Sequence, residues 1–207
     1  MQGSKQEKLG SEQKKAVGLL SIGTFLEYFD LMLYIHMAVL LNELFFPKTD
    51  PFTASLLSAF AFCSSYILRP FGALIFGFIG DFIGRKSVIV ITTIIMAITC
   101  TTIAVLPTYA QIGITASWII TICRMVQGMA ASAESRGAEI YITESIKPPL
   151  QYPLVAIITV FSSVGTSFAL GISSIFTNVN IFGTENQYWR VAFFLGALIG
   201  LVGGEAR

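Results

Sequence analysis

Residues Gly77 to Lys86 read GFIGDFIGRK, a short charged turn between two long apolar segments. The turn combines glycines, which allow tight turning and close backbone approach, with an acid and two bases that stabilise helix ends by their charge. These residues are Gly77, Gly80, Gly84, Asp81, Arg85 and Lys86. A plain positive-inside stop signal would explain the two bases but neither the acid nor the glycine spacing. We therefore interpret the turn as a cytoplasmic latch, which pairs with neighbouring helix ends in only one conformation.

The composition indicates a membrane protein. Of the 207 residues 54% are hydrophobic and 12% are Asp, Glu, Lys or Arg, whereas the charged share of a globular protein is about 25%. The mean hydropathy is +0.73. A net charge of +1 without a basic run excludes disorder and nucleic-acid binding. The three cysteines lie inside apolar stretches without metal-ligand spacing, which excludes a secreted disulfide scaffold. We predict an integral protein that is surrounded by a lipid bilayer.

The apolar stretches predict an all-α fold with six transmembrane helices, since a helix that crosses a bilayer needs about 20 mostly apolar residues. The predicted spans are Val17 to Leu41, Ala54 to Gly80, Val88 to Leu106, Ile112 to about Ala133, Leu154 to Phe176, and Val191 to Gly204. The sixth contains only fourteen residues, so either residues 188–190 lengthen it or the chain was cut. We expect residues 1–16 to form a cytoplasmic amino-terminal segment and residues 17–207 to form one transmembrane domain.

Basic residues predict the orientation of these spans. With the amino terminus in the cytoplasm, eight basic residues lie on the cytoplasmic side and two on the outer side. The cytoplasmic ones are Lys5, Lys8, Lys14, Lys15, Arg85, Lys86, Lys147 and Arg207, and the outer ones are Lys48 and Arg190. Trp118 and Trp189 are predicted to anchor the helices at the membrane interface.

Two carboxylates, Glu27 and Asp30, lie three residues apart in the first span and therefore on one helical face. An intramembrane charge costs about 2.5–3.5 kcal/mol on insertion scales, so it needs a functional or structural reason. The functional interpretation is a carboxylate pair that faces a polar cavity and takes up a proton or a cationic substrate group. The structural alternative is an internal pair that a neighbouring arginine satisfies.

The fourth span contains the sequence RMVQGMAASAE, which begins at Arg124 and ends at Glu134. Arg124 and Gln127 share one helical face, whereas Glu134 is rotated from Arg124 by about 80° and lies about 15 Å further along the axis. Arg124 cannot pair with Glu134 in the same helix, so we expect its partner among the carboxylates of the first span. The alternative interpretation is a packing stripe of small residues around a satisfied arginine.

With these motifs the sequence resembles the major facilitator superfamily. The superfamily signature GxxxDxxGRK is matched by residues 77–86, and the fourth-span signature RxxQG by residues 124–128. Within the superfamily, the sequence is most similar to the metabolite:proton symporter branch. The EWFD or EWYD element of that branch reads Glu27-Tyr28-Phe29-Asp30 here, and its RPxG element matches residues 69–72. An FFP…DP outer loop is matched by residues 45–51.

The resemblance implies the amino-terminal half of a facilitator fold, built as two inverted three-helix repeats. It also implies proton symport of a small zwitterionic or anionic metabolite, such as proline or glycine betaine, across a bacterial inner membrane. The residues implied to line or gate the substrate and proton path are Glu27, Asp30, Arg69, Arg124, Gln127 and Glu134. The sequence has no HExxH, GxSxG or nucleotide-binding loop, so we expect neither an enzyme nor a metal or cofactor site.

Departures from the family pattern lead to a second hypothesis. Phe82 replaces a basic residue of the signature, Ser132-Ala133-Glu134 replaces GGE, and Arg136 and Glu139 occupy places that are normally small or polar. The family also has twelve spans, whereas six are predicted here. The chain is therefore either a half that works with a separately encoded carboxyl-terminal half or a second copy, or a truncated remnant that transports nothing. In a single bundle, we expect the charged face of the first and fourth spans to meet lipid.

Overall fold

The fold is all-helical over the part of the chain that the computed structural model describes, residues 10–47, 51–177 and 188–205. Within these ranges the side chains of residues 11, 12, 51, 54, 55, 58, 85, 86, 134–136, 177 and 202–205 are not described. The helices of the described part are α1 (Ser11–His36), α2 (Ala38–Phe45), α3 (Pro51–Ile67), α4 (Arg69–Ile83), α5 (Arg85–Val105), α6 (Tyr109–Ile112), α7 (Ile114–Ser145), α8 (Gln151–Thr177) and α9 (Trp189–Glu205).

These helices account for the predicted spans. Five ranges are long and apolar enough to cross a membrane: Gln13–His36, Ala59–Ile83, Ser87–Val105, Ile114–Ser145 and Gln151–Phe176. A shorter apolar helix, Trp189–Leu201, lies where the sixth span is predicted. Its first residues, Trp189 and Arg190, precede the predicted start at Val191. The described residues thus agree with an all-α membrane fold whose sixth helix is short.

Two of the predicted spans are interrupted. The first apolar stretch divides at Met37 into α1 and α2, and the second divides at Leu68 into α3 and α4. The second break is explained by Pro70, which has no N–H and cannot donate to the carbonyl oxygen of Tyr66. Arg69 therefore begins a helix inside a membrane span. The second span nevertheless runs as one range, Ala59–Ile83, across the break at Leu68.

Helix α7 is longer than the sequence predicts, because it ends at Ser145 rather than near Ala133 and contains 32 residues. The predicted end followed the apolar stretch, whereas polar residues such as Glu139 and Glu144 remain helical. About 20 residues suffice to cross a bilayer, so α7 is longer than one crossing requires. At the carboxyl end of α7, the side-chain amide of Gln13 donates to the carbonyl oxygen of Ser145 at 3.4 Å, which joins this end of α7 to the start of α1.

The helix contacts repeat between the first three and the last three spans. Helix α1 packs on α8, and α7 packs on α3 and α4. Likewise α5 contacts α7, and α9 contacts α1, while α5 and α9 pack on each other. If spans one, two and three are exchanged with spans four, five and six, respectively, the same pairs of spans are in contact. The contacts are therefore those that two three-helix repeats would produce.

The main hydrophobic core surrounds the second half of α1. All six spans and α2 contribute buried members to it, among them Phe29, Leu33, Met37, Phe45, Ala61, Ile103, Ile120, Ala169 and Phe193. Trp189, predicted as an interface anchor, is instead buried, and its ring packs edge-on against Phe45 and Phe193. Helix α1 lies against α7, α8 and α9, so a polar side chain on α1 can be enclosed within the bundle.

Candidate proton and substrate site

A buried ion pair joins the second half of α1 to the first half of α7. Arg124 Nη1 donates to Asp30 Oδ2 at 3.0 Å, and the two residues are only 2% and 4% exposed. The prediction that Arg124 pairs with a first-span carboxylate is confirmed. Removing one partner of a buried pair destabilises a protein by about 3–5 kcal/mol, so this contact ties the position of α1 to that of α7.

Gln127 and Cys100 add further hydrogen bonds to this pair. The Gln127 side chain accepts from Arg124 Nη1 at 2.7 Å and donates through Nε2 to Asp30 Oδ1 at 3.3 Å. The Cys100 thiol of α5 donates to the same Oδ1 at 3.1 Å. Asp30 thus accepts from three donors on two other helices. Hydrogen bonds from two helices to one carboxylate restrict the positions that Asp30 can take.

Tyr34 lies on α1, one helical turn after Asp30, and the face of its ring contacts Arg124 of α7. The guanidinium carbon is 4.1 Å from the centre of the ring, and Tyr34 is 2% exposed. A cation held over an aromatic face is attracted by the ring quadrupole, and more strongly when both are removed from water. Tyr34 therefore stabilises the guanidinium on a side where no carboxylate lies.

Glu27 is paired with a different arginine. Its Oε1 lies 3.8 Å from Arg69 Nη2, at the start of α4. The Arg69 guanidinium also stacks on Tyr66, with 4.7 Å between the guanidinium carbon and the ring centre. The side chain of Glu27 is 2% exposed and that of Arg69 is 29% exposed. One helix, α1, is therefore tied by charge to α7 through Asp30 and to α4 through Glu27.

These pairs correct one expectation. Glu27, Asp30 and Arg124 are each less than 5% exposed within this bundle. The expectation that their face meets lipid in a single bundle is wrong, because the helices on either side of α1 already enclose it.

The predicted latch lies at the junction of α4 and α5. Gly84 has φ of 90°, a left-handed conformation that glycine adopts without steric cost. Its N–H donates to the Gly80 carbonyl oxygen at 3.0 Å, and Asp81 is exposed. A side chain at Gly77 would meet nothing within 4 Å among the described residues, so no close approach occurs there. The side chains of Arg85, Lys86 and Glu134 lie outside the described part.

Three residues of the site carry no sequence motif. Tyr34 follows Asp30 by four residues, and this spacing on a helix is a signal that could have found it. Tyr66 precedes Arg69 by three residues in the same way. Cys100 has no such signal, because its contact with Asp30 depends on how α5 packs. Among the described residues, there is no group of three or more His, Cys, Asp or Glu that could hold a metal ion.

Comparison with known proteins identifies the class of protein. The sequence matches the family described as "Sugar (and other) transporter" over residues 16–203, nearly the whole chain. The chain therefore belongs to this family of transporters.

Similar proteins and similar structures agree with this assignment. The chain is 33% identical over 193 residues to the "Proline/betaine transporter" of Salmonella typhimurium and to that of Escherichia coli, which covers 92% of this chain and 38% of each relative. It is 33% identical over 200 residues to the Escherichia coli "Inner membrane metabolite transport protein YhjE", which covers 94% of this chain and 44% of that one. The structure of the Escherichia coli xylose transporter XylE in a partially occluded inward-open conformation matches with a TM-score of 0.79 at 17% identity, over 93% of this chain and 48% of that one.

Two conclusions follow from these comparisons. The predicted fold, the amino-terminal half of a facilitator, and the prediction of a multi-pass transporter rather than an enzyme are confirmed. The chain spans about two fifths of the length of these curated relatives, 38% to 44%.

Proposed function

We propose that this chain forms the first six-helix bundle of a proton symporter for small zwitterionic metabolites, in a bacterial inner membrane. The observation that carries the proposal is the buried Asp30–Arg124 pair, which joins two helices of the bundle within the membrane. Curated relatives described as proline/betaine transporters support the substrate class, and a relative described as an inner membrane protein supports the location.

The proton acts on the contact between α1 and α7. When Asp30 takes up a proton, its charge disappears and its attraction to Arg124 falls, while Arg124 keeps its charge. The contact that ties α1 to α7 then weakens, and the balance between two arrangements of these helices shifts. A proton bound at Asp30 is thereby linked to the conformation of the bundle, which is what symport requires.

The remaining charged residues have supporting roles in this scheme. Glu27 and Arg69 line the path between α1 and α4, and Gln127 orients Asp30. Glu134 lines the same path further along α7. The latch of Gly77, Asp81, Gly84, Arg85 and Lys86 holds the cytoplasmic helix ends together in one of the two conformations.

Transport in this scheme needs a second six-helix bundle. Facilitators move substrate by rocking one bundle against another around a site at their interface, near the middle of the bilayer. The second bundle is supplied by a further stretch of polypeptide, by a separately encoded chain or by a second copy. The alternative hypothesis is that the chain inserts in the membrane and only binds such a partner, without transport.

The test uses a chimera in which this bundle is joined to the second half of the Escherichia coli proline/betaine transporter. Uptake of labelled proline and glycine betaine into proteoliposomes is measured under an imposed inward proton gradient. We expect Asp30→Asn to abolish gradient-driven accumulation while exchange of labelled for unlabelled substrate persists, because exchange does not need net proton movement. We expect Glu27→Gln also to lower gradient-driven accumulation.

The matched control is Glu43→Gln, which neutralises an exposed carboxylate on α2 and should accumulate substrate like the parent chimera. Wild-type accumulation in a chimera that carries both Asp30→Asn and Glu27→Gln would show that neither carboxylate couples transport to protons.

A further inference from the structure

We propose that Arg69, Ser65 and the aromatic pair Phe62–Tyr66 form a binding subsite for a small zwitterion. Arg69 and Ser65 hold its carboxylate, and the two rings face its ammonium end. This inference rests on the proposed function, since it assigns the recognition of the substrate to particular side chains of the same path.

The guanidinium of Arg69 has an N–H donor without an acceptor. Its Nε is buried and makes no hydrogen bond, and its Nη2 is 3.8 Å from Glu27 Oε1, beyond the length of a hydrogen bond. A guanidinium presents five N–H donors in a planar fork, and two parallel donors of that fork match the two oxygens of a carboxylate. A bound carboxylate would satisfy the Nε that the protein leaves without an acceptor.

Ser65 is a second donor without a partner. Its hydroxyl is buried and makes no hydrogen bond, although the preceding Ser64 donates to the Ala61 carbonyl oxygen at 2.8 Å. Serine hydroxyls in a helix usually bond to a carbonyl of the previous turn, so the unbonded Ser65 is the exception. It precedes Arg69 by four residues, which places both donors on one side of the span.

Part of the Arg69 side chain is exposed, although its Nε and the Ser65 hydroxyl are buried, whereas the proton site is wholly buried. The Arg69 side chain is 29% exposed and that of Arg124 is 2% exposed. Helices α3 and α4 pack on α7, and α1 packs on α7, α8 and α9, but α1 and α4 do not pack extensively on each other. The long side chains of Arg69 and Glu27 therefore reach each other from two helices that are not closely packed, and in this proposal a carboxylate ligand competes with Glu27 for the guanidinium.

The rings of Phe62 and Tyr66 are arranged to receive a cation. The centres of the two rings are 5.1 Å apart and the ring planes are inclined at 59°. The rings therefore present two adjacent, inclined surfaces. Quaternary ammonium groups bind to the faces of aromatic rings. Tyr66 already contacts Arg69, so the two rings lie next to the N–H and O–H groups that would bind a carboxylate. A short zwitterion, whose opposite charges are close together, fits this order of groups.

The experiment measures binding to the purified 207-residue chain in lipid nanodiscs by equilibrium dialysis, without a proton gradient. The probes are labelled glycine betaine and labelled choline, which has the same quaternary ammonium but a hydroxymethyl group in place of the carboxylate. We expect wild-type protein to bind glycine betaine at least about tenfold more tightly than choline, given the strength of charge-assisted hydrogen bonds. Arg69→Gln should remove this preference, and Arg69→Lys should restore part of it.

Ser65→Ala provides the variant that leaves the fold intact, because it removes a hydroxyl that bonds to nothing. We expect it to weaken glycine betaine binding about threefold to tenfold and choline binding not at all. The matched control is Ser64→Ala, which should leave both affinities unchanged. Equal affinity for the two probes in wild-type protein, or an unchanged preference in Ser65→Ala, would overturn the subsite. Failure of proton coupling in the chimera would leave this binding result unaffected, so the two proposals fail separately.

Discussion

The guanidinium of Arg124 lies between a carboxylate and an aromatic ring. Asp30 accepts its hydrogen bond at 3.0 Å on one side, and the Tyr34 ring centre lies 4.1 Å away on the other. Arg124 Nε is buried and makes no hydrogen bond, so the ring provides attraction where no acceptor is present. In a desolvated site, this attraction is worth about 2 kcal/mol. It involves only the ring and the guanidinium, so it does not depend on the charge of Asp30.

Replacing Tyr34 should therefore destabilise the bundle more when the aromatic ring is removed than when it is kept. We expect Tyr34→Leu to lower the free energy of unfolding by about 2 kcal/mol or more, and Tyr34→Phe by less than about 1 kcal/mol, because phenylalanine keeps the ring face. The measurement is denaturant unfolding of the purified protein in detergent, followed by circular dichroism. Tyr152→Leu, at a side chain 64% exposed on α8, is the control. Equal losses for the leucine and phenylalanine variants would attribute the effect to the hydroxyl group.

The sequence predicts part of this site for a simple physical reason. Charged residues are costly inside a membrane, so Glu27, Asp30 and Arg124 stand out in apolar stretches, and a mutual pairing is the natural inference. The sequence did not distinguish which carboxylate pairs with Arg124. The contribution of Cys100 could not be predicted, because a thiol is common in apolar helices and its contact depends on the packing of α5.

At the scale of helices, close packing depends on a few glycines. A Cβ atom at Gly165 of α8 would lie 2.5 Å from the carbonyl oxygen of Phe25 in α1. A Cβ atom at Gly72 of α4 would likewise clash with the carbonyl oxygen of Met129 in α7. Small residues let membrane helices approach closely, and this approach provides much of their packing energy. The two contacts occupy equivalent places in the two repeats.

Gly165→Ala should separate α8 from α1. The atom in the way belongs to the backbone and cannot rotate aside, so we expect a loss of about 1–3 kcal/mol in the free energy of unfolding, typical of an overpacked interior. Gly171→Ala on the same helix is the matched control, since a Cβ there meets nothing within 4 Å. Unfolding in detergent compares the two variants with the parent. A loss in Gly171→Ala as large as in Gly165→Ala would contradict the close approach.

Gly84 is needed for its conformation rather than for space. Its φ is 90°, and a Cβ there would meet nothing within 4 Å. We expect Gly84→Ala to lower the free energy of unfolding by about 1–3 kcal/mol, the cost of holding another residue in a sparsely populated backbone region. Gly77→Ala is the control, because Gly77 has neither a positive φ nor a neighbour within 4 Å. If both variants are as stable as the parent, the junction of α4 and α5 does not depend on a left-handed residue.

The sequence predicts the number of helices better than their limits. Hydropathy follows the apolar stretches, so it finds each span but not the polar continuation of α7 to Ser145. Pro70 marked a position where a helix can break, yet a proline within an apolar stretch is often tolerated in membrane helices. The break at Met37 has no such marker in the sequence. Trp189 was placed at the interface by residue type alone, whereas the packing of α9 on Phe45 determines its burial.

Within the described membrane-spanning helices, large apolar side chains lie on the outside and a charged pair lies on the inside. Large apolar side chains of α4 project outward, including Leu74, Phe78 and Phe82, which are 72%, 66% and 75% exposed. Asp30 and Arg124 are enclosed by comparison, at 4% and 2%. This arrangement suits a hydrocarbon solvent, in which an exposed charge costs several kcal/mol and an exposed phenylalanine costs none.

The orientation of the bundle remains a prediction, based on eight basic residues on one side and two on the other. Single cysteines at Lys48 and Lys86, in a background without the three native cysteines, can be labelled in intact cells with a membrane-impermeant thiol reagent. We expect labelling at position 48 only, because position 86 is predicted to face the cytoplasm. Permeabilised cells, in which both positions should react, are the control. Labelling of position 86 but not position 48 in intact cells would reverse the orientation.

The isolated chain should be stable in a membrane but should not transport. Its buried charges already have partners: Asp30 is bound by Arg124, Gln127 and Cys100, so no unpaired carboxylate of this cluster faces lipid. Stability does not provide alternating access, however, because that motion requires two bundles that rock around a shared site. We expect the purified chain in liposomes to show no saturable uptake of labelled proline or glycine betaine under an inward proton gradient. The chimera with a second half, assayed in parallel, should accumulate both. Saturable, gradient-dependent uptake by the chain alone would mean that a second copy can take the place of the second bundle.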